Sequence, residues 1–459
     1  INGNRTEWFN VDSGLKQGCV LSSIMFNIYI NNLVDDINAL NIGINIDEEK
    51  LAILLYADDV ILMAENEEDL QKMLNVLNTW CLNNELTVNI NKSKIMHFRN
   101  PAVLQTKCTF SIGGNGLECV KSYQYLGLLL TEFLDYQLMA KAVAKSASRA
   151  LGLLIVKSKM HGGFQHKIFS KLYDTMVWSV ISYGAGIWGT RDFSCINAVQ
   201  NRAMRFFMGV GKYTPNDAIA GDMGWKPPCV KQWSSVLRHW ARCSIMDPHR
   251  INFKIFKWSI RKCNTRIKNW SFRVIEMLKL YNYEQYCNFE SNVLNKNCIK
   301  QIEEDVFDNF KSNWCTRVAA YAEGSKLRTY KLFKNNYCTE NYLQNIMSLK
   351  NRSSFAKFRC GVAPLKIETG RYERKEVHER TCFNCSSIVE DEMHVILKCP
   401  LYVDLRQIMI HEALHFNEHF NLLSDNEKFI FLFSNDNVAA IVAKTCNNIL
   451  LRRNSILFH

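Results

Sequence analysis

Two adjacent aspartates, Asp58 and Asp59, lie between apolar runs in LLYADDVILMA, residues 54–64. An Asp-Asp pair at a hairpin tip suits ordinary turn chemistry, because these side chains hydrogen-bond nearby backbone. The flanking runs LAILL (51–55) and VILMA (60–64) read as buried strands that would hold both carboxylates rigidly at a sheet edge. Rigid, clustered carboxylates are what a hard divalent ion such as Mg²⁺ requires, and two such ions about 4 Å apart can activate an attacking hydroxyl and stabilise a leaving phosphate. Near the other end, TCFNCSSIVEDEMHVILKCP spaces Cys382, Cys385, His394 and Cys399 as C-x2-C-x8-H-x4-C. A tight C-x2-C turn presents two thiolates to one ion and a following short helix supplies the other two ligands, making a closed tetrahedral Zn²⁺ site. His378 competes for the histidine place. Zinc there would staple a domain that lacks its own core, form part of a nucleic-acid contact, or do both.

The elements that must position these groups form an α+β pattern. Phe26, Ile30, Leu33, Val34 and Ile37 recur at helical spacing over Ser22 to Ile37, with Ser22 or Ser23 as N-cap. After the hairpin, Asn66 caps a second helix with an acidic first turn and a stripe of Leu70, Met73, Leu74, Leu77, Trp80 and Cys81. The segments LTVNI (86–90) and KIMHF (94–98), a GGNG turn at 113–116 and YQYLGLLL (123–130) predict a small sheet with helices on one side. Beyond residue 131 long helices follow. The first carries Val143, Ala147, Leu151 and Leu154 on one face and Lys141, Lys145 and Arg149 on another, a basic stripe that suits solvent or a phosphate backbone. Residues 230–350 are aromatic-rich and mostly helical, without repeats. At the other end, INGN suits a type I′ hairpin tip.

A chain of 459 residues suggests two to four domains. With 56 basic against 44 acidic residues, the net charge of +12 favours a polyanionic partner, though many soluble proteins carry as much. The 17 cysteines are odd in number and irregularly spaced, and no signal peptide opens the chain, so reduced thiols in cytoplasm or nucleus are expected. The most apolar stretch, Met176 to Trp188, is shorter than the roughly 20 residues that cross a bilayer, and it reads as core. No membrane partner is expected.

In order, GLKQGCVLSSIMFNIYINNL, YADDVIL, LNTWCLNNELTVNINKSKIMHF and YQYLG resemble the palm of a non-LTR (LINE-type) retrotransposon reverse transcriptase. Retroviral enzymes and group II intron maturases share the Asp pair, but the QGC and YADDV wording is closer to the non-LTR group. RSSFAKFRCGVAPLKIETGRYERKEVHERTCFNC resembles the tail of the same proteins. The resemblance implies a partial polymerase palm at 1–130, a helical thumb at 131–229, a helical connector at 230–350 and a basic, zinc-binding region at 351–459. In that tail Arg352, Lys357, Arg359, Lys366, Arg371, Arg374 and Lys375 would give a basic approach to the zinc module.

By the same resemblance, Asp58 and Asp59 are Mg²⁺-binding carboxylates, and Tyr56 and Ala57 shape the turn beneath the primer end. Gln17 and Gly18 lie beside the incoming nucleotide and template, whereas taken alone Gly14 and Gly18 punctuate a loop before a helix. Lys92 helps the leaving pyrophosphate, with Lys94 two residues away as its rival. Tyr125, Leu126 and Gly127 form the primer grip or, more simply, a strand with a tight bend. Independently of the resemblance, Lys141, Lys145 and Arg149 are expected to contact the template-primer backbone, since the opposite face of their helix is needed for packing. The implied partners are an RNA template, a DNA primer or nicked target DNA, and deoxynucleotides. Two departures stand out. Ser23 occupies a place where the family often has proline, and the family's first catalytic aspartate is missing ahead of GLKQGC, where Asp12 is too close to the glycine motif. The fingers and first palm strand would therefore precede Ile1. A non-catalytic nucleic-acid-binding remnant and a maturase-like protein are the alternatives.

Overall fold

The structure, a computed structural model, describes residues 18–263, 267–290, 292–322 and 324–457. The expected INGN turn and Asp12, Gly14 and Gln17 lie outside them. The chain divides into two compact units, one of residues 1–136 with 246–267, the other of 137–245 with 268–459.

In the first unit, helix α1 spans Val20–Ala39 and buries Ile30, Leu33 and Ile37, with Phe26 and Val34 partly covered. It begins two residues ahead of the expected cap. Cys19 takes the N-cap place without a side-chain hydrogen bond, so neither Ser22 nor Ser23 caps it. Its early turns leave Val20, Leu21, Ile24 and Ile28 exposed. Strands β1 (Ile44–Ile46) and β2 (Glu49–Leu51) form a hairpin, followed by β3 (Ile53–Tyr56) and β4 (Asp59–Leu62). Helix α2, Glu67–Asn83, starts where Asn66 accepts a hydrogen bond from the Asp69 backbone, and it buries the expected stripe from Met73 to Cys81. Side-chain capping of this kind satisfies an amide that the helix itself leaves unpaired.

The β-structure is more broken than expected. Strands β5 (Lys94–Ile95), β6 (Phe110–Ile112) and β7 (Asn115–Cys119) form one three-stranded sheet, while β8 (Ser122–Tyr125) and β9 (Leu128–Thr131) form a separate hairpin. The described residues thus give four small sheets rather than one. LTVNI, despite its strand-like composition, makes none, because a strand requires a neighbour to receive its backbone groups and this stretch pairs with no strand. Gln71 of α2 instead serves the sheet edge, donating to the Ser111 carbonyl at 2.9 Å and accepting from its amide at 3.1 Å. One shared core joins α1, α2, β3 and the β6–β7 hairpin. The later helix Ile251–Lys262 returns to this unit, where Lys254 pairs with Glu49 and Arg261 with Asp47.

The second unit is helical. Helix α3, Gln137–Met160, packs its buried Val143, Ala147, Leu151 and Leu154 against helix Ser194–Met208 and the π-helical turn Tyr173–Trp178. Helix Pro228–Ser244 packs against Lys296–Ala319, and Leu349–Arg359 against the terminal helix Ala439–Leu457. At the end of Leu349–Arg359, Gly361 holds φ +62°, and an added Cβ would fall 1.7 Å from the Lys326 carbonyl oxygen, so no larger residue fits.

The interior of this unit also settles part of the expected basic approach. Arg359 is 1% exposed and bonds Asp222 through Nε at 3.0 Å and Nη2 at 3.1 Å. Burial alone would raise the Asp222 carboxyl, but the Arg359 guanidinium outweighs it and holds the group below the usual range. The Tyr330 and Tyr342 hydroxyls donate to the same carboxylate. Arg352 is also buried and donates to the Phe207 and Ile346 carbonyls. Neither arginine is presented to a phosphate. Among the described residues no single helix is long and apolar enough to cross a membrane, although the bent pair Asp425–Ser434 and Ala439–Leu457 reaches that composition jointly.

Candidate active site and metal centre

The β3–β4 hairpin pairs Tyr56 with Asp59, leaving Ala57 and Asp58 as a two-residue turn. Ala57 has φ +52° and Asp58 does not share a positive φ, the pattern of a type II′ turn. This turn fits the right-handed twist of the strands, which is why so short a loop holds position. Leu55 and Val60 anchor the hairpin from below by packing on the core, while Tyr56, Asp58 and Asp59 are exposed. The flanking strands are half-buried rather than fully buried, because only one face of the hairpin meets the core. Among the described residues no third Asp, Glu, His or Cys joins the two aspartates in a metal-sized cluster.

A second hairpin stands beside the first. Tyr125 pairs with Leu128 across the turn of Leu126 and Gly127, both at positive φ, the pattern of a type I′ turn. Burial, and then the neighbouring Asp59 carboxylate and Tyr56, raise the Tyr125 hydroxyl above its ordinary value, so the fold brings Tyr125 to the aspartate hairpin. Two residues earlier on the same strand, the Tyr123 hydroxyl donates to the Lys92 carbonyl at 2.9 Å, tying this hairpin to the lysine turn. The Lys92 amide is fixed by Asn89, and its side chain is exposed. Lys94, by contrast, engages Glu118 at 2.8 Å. Of the two lysines, Lys92 is the one whose side chain is exposed and enters no ion pair among the described residues. Gly18 precedes α1 at φ +83° with open space where a Cβ would be, so its conformation is what calls for glycine.

In the second unit Cys382, Cys385, His394 and Cys399 gather with their ligand atoms all within 4.8 Å of one another. The Cys399 Sγ lies 3.9 Å from Cys382 Sγ and 3.8 Å from Cys385 Sγ. Cys382 and Cys385 sit on a turn closed by the Ser386 amide bonding the Cys382 carbonyl, with Ser386 at φ +53°. The His394 amide is held by Asp391, and the π-helical turn His394–Lys398 carries the chain to Cys399. His394 is 3% exposed, yet neither of its ring nitrogens has a hydrogen-bond partner. Burying an imidazole with both nitrogens unsatisfied costs free energy that a coordinated cation would return. Burial also pushes the Cys399 thiol up to about 12 and the His394 ring down, so a cation is what would favour the thiolates here. The donor set therefore fits a tetrahedral ion of the zinc type. His378, the rival, is exposed and outside the cluster.

The supporting residues carried no sequence signal. Arg406 donates to the Ile396 and Cys399 carbonyls at 2.9 and 2.7 Å, and buried Glu390 accepts from Arg453 and from the Lys366 amide. Elsewhere in this unit, Lys141, Lys145 and Arg149 are exposed on α3, opposite its buried face.

Residues 1–130 match the family model described as reverse transcriptase (RNA-dependent DNA polymerase). The chain is 27% identical over 135 residues to the retrovirus-related Pol polyprotein from the type-1 retrotransposable element R2 of Popillia japonica, covering 28% of the chain and 22% of that protein. It is 24% identical over 242 residues to the corresponding R1 polyprotein of Nasonia vitripennis, covering 48% of the chain and 67% of that protein. A putative 115 kDa protein of the R1DM element of Drosophila melanogaster is 23% identical over 139 residues, covering 29% of the chain and 13% of that protein. The matches to the Popillia and Drosophila proteins thus span less than a quarter of each relative. These matches make the chain similar to the non-LTR retrotransposon Pol proteins, with residues 1–130 matching the reverse transcriptase family model.

Proposed function

We propose that this chain contributes the palm aspartates of an RNA-directed DNA polymerase in which a primer 3′ hydroxyl attacks the α-phosphate of a deoxynucleotide and pyrophosphate leaves. The observation that carries the reading is the exposed Asp58 and Asp59 turn with Tyr125 beside it. Asp58 and Asp59 are the residues that would hold Mg²⁺, which when bound neutralises phosphate charge and lowers the pKa of the attacking hydroxyl. Tyr56 and Ala57 support the primer end, Tyr125, Leu126 and Gly127 steady the primer strand, and Gln17 and Gly18 flank nucleotide and template. Lys92 offers its ammonium to the departing pyrophosphate. The template is RNA and the primer nicked target DNA.

In the second unit, Lys141, Lys145 and Arg149 contact duplex phosphates, and Cys382, Cys385, His394 and Cys399 bind one Zn²⁺ that closes the tail. The protein acts inside the cell, in cytoplasm and nucleus, where reduced thiols persist.

Two aspartates are an incomplete set, because two-ion nucleotidyl transfer calls for a further carboxylate to bridge the ions. The experiment compares Mg²⁺-dependent primer extension by the 459-residue chain with extension by the chain preceded by upstream palm and fingers sequence from the same gene. Negligible extension by the first and robust extension by the second is the expected result. Robust extension by the first shows the third carboxylate to be misplaced. Inactivity of both, with nucleic-acid binding retained, favours a non-catalytic binding remnant.

A further inference from the structure

Within the second unit, two tyrosines distant in sequence meet at the surface. Tyr213 is 62% exposed and Tyr372 is 66% exposed, and their ring centroids lie 6.4 Å apart at an interplanar angle of 56°. The angle keeps the rings from stacking fully on each other. The Lys212 ammonium lies 4.8 Å from the Tyr213 ring centroid, and that of Lys326 lies 5.9 Å away while donating to the Tyr213 carbonyl at 3.2 Å.

The charges around the pair are unequally committed. Glu368 is held by Lys326 and Arg371, Glu373 by Lys366 and Lys375, and Glu376 and Glu379 cap the short helix that follows. Lys212 and Arg374 are exposed and enter no ion pair among the described residues. The Tyr372 turn is also braced. Buried Arg380 donates to the Lys375 carbonyl at 3.0 and 2.7 Å and to the Ile367 carbonyl at 2.9 Å, and Glu390 receives the Lys366 and Ile367 amides. Two exposed rings, one with lysine ammoniums over it, have the makeup of a surface on which an unpaired base can exchange with the cation and stack while its phosphate meets the displaced lysine.

We propose that Tyr213 and Tyr372, with Lys212, form a stacking platform for single-stranded RNA. The choice of RNA rests on the polymerase reading, since a template must be unpaired before it is copied.

The test uses the full chain and fluorescence anisotropy with a labelled uridine oligonucleotide of about 12 nucleotides, a length on the scale of known single-strand sites. Tyr213→Ala and Tyr372→Ala should each weaken binding about 5- to 100-fold, while Tyr213→Phe and Tyr372→Phe should bind nearly as the parent does. Lys212→Ala should shallow the salt dependence. Binding of a blunt RNA–DNA duplex should stay unchanged in all of them. Parent-like affinity of a folded Tyr213→Ala, Tyr372→Ala double variant, checked by its melting temperature, overturns the platform. Tighter binding of the matching DNA oligonucleotide overturns the RNA assignment. The measurement needs neither divalent ion nor deoxynucleotide, so failed primer extension leaves it standing.

Discussion

The aspartate hairpin and the cysteine-histidine cluster both gather metal-ligand side chains, and they do so in opposite surroundings. Asp58 and Asp59 are exposed on a two-residue turn, and among the described residues nothing completes a ligand set around them. Cys382, His394 and Cys399 are buried, Cys385 is half-buried, and together they supply all four donors. On the proposed function, the difference matches what each site would exchange. Hard oxygen ligands that leave coordination places open let substrate phosphates enter, whereas a closed set of soft thiolates and imidazole leaves no place for substrate and couples ion binding to folding. Cost follows the same division. An exposed carboxylate contributes little to stability, whereas a buried, unpartnered imidazole is a defect until something binds it.

Breaking the closed site should have the largest effect. Cys399→Ser removes the ligand that lies close to both other thiols, and apparent binding free energies of structural zinc are on the order of 10 kcal/mol. The variant should lose stoichiometric zinc in native mass spectrometry and become protease-sensitive after residue 366. Unchanged zinc content would return the cluster to coincidence. Asp58→Asn should do the reverse, leaving stability within about 0.5 kcal/mol of the parent in thermal unfolding. In the polymerase completed upstream it should cut extension about a thousandfold or more, because an amide cannot offset metal charge. Full extension by that variant would return the pair to turn chemistry.

A smaller effect concerns the basic face of α3. Replacing Lys141, Lys145 and Arg149 by Ala should weaken duplex binding and lower the slope of log affinity against log salt by about 0.9 for each phosphate that is no longer neutralised. An unaltered slope in a folded triple variant would assign these residues to solvation alone. The smallest effect sharpens the comparison at the hairpin itself. Ala57 holds φ +52°, and glycine adopts that angle without the Cβ clash, at the cost of a looser unfolded chain. Ala57→Gly should therefore stabilise the first unit by only about 0.5 kcal/mol in urea unfolding. A marked destabilisation would show that the methyl group packs where the turn needs it.

What was legible in the sequence was local. The α2 stripe, its Asn66 cap, the apolar face of α3 and the hairpin around Ala57 and Asp58 depend on neighbours three or four residues away or on one turn, and they stand as the residue pattern implied. The C-x2-C turn belongs to the same class. Tertiary structure decided everything that required a distant partner. Lys94 is paired with Glu118, 24 residues on, while the Lys92 side chain is exposed. Arg359 is withdrawn from any phosphate by Asp222, 137 residues away, so a run of basic residues became partly an interior ion pair. His394 rather than His378 joins the thiols, and LTVNI, with every propensity for a strand, finds no strand to pair with. Short-range periodicity fixes which face of an element is apolar. Only long-range packing fixes which charges are left facing water, because a charge gives up its solvent when an opposite charge replaces it.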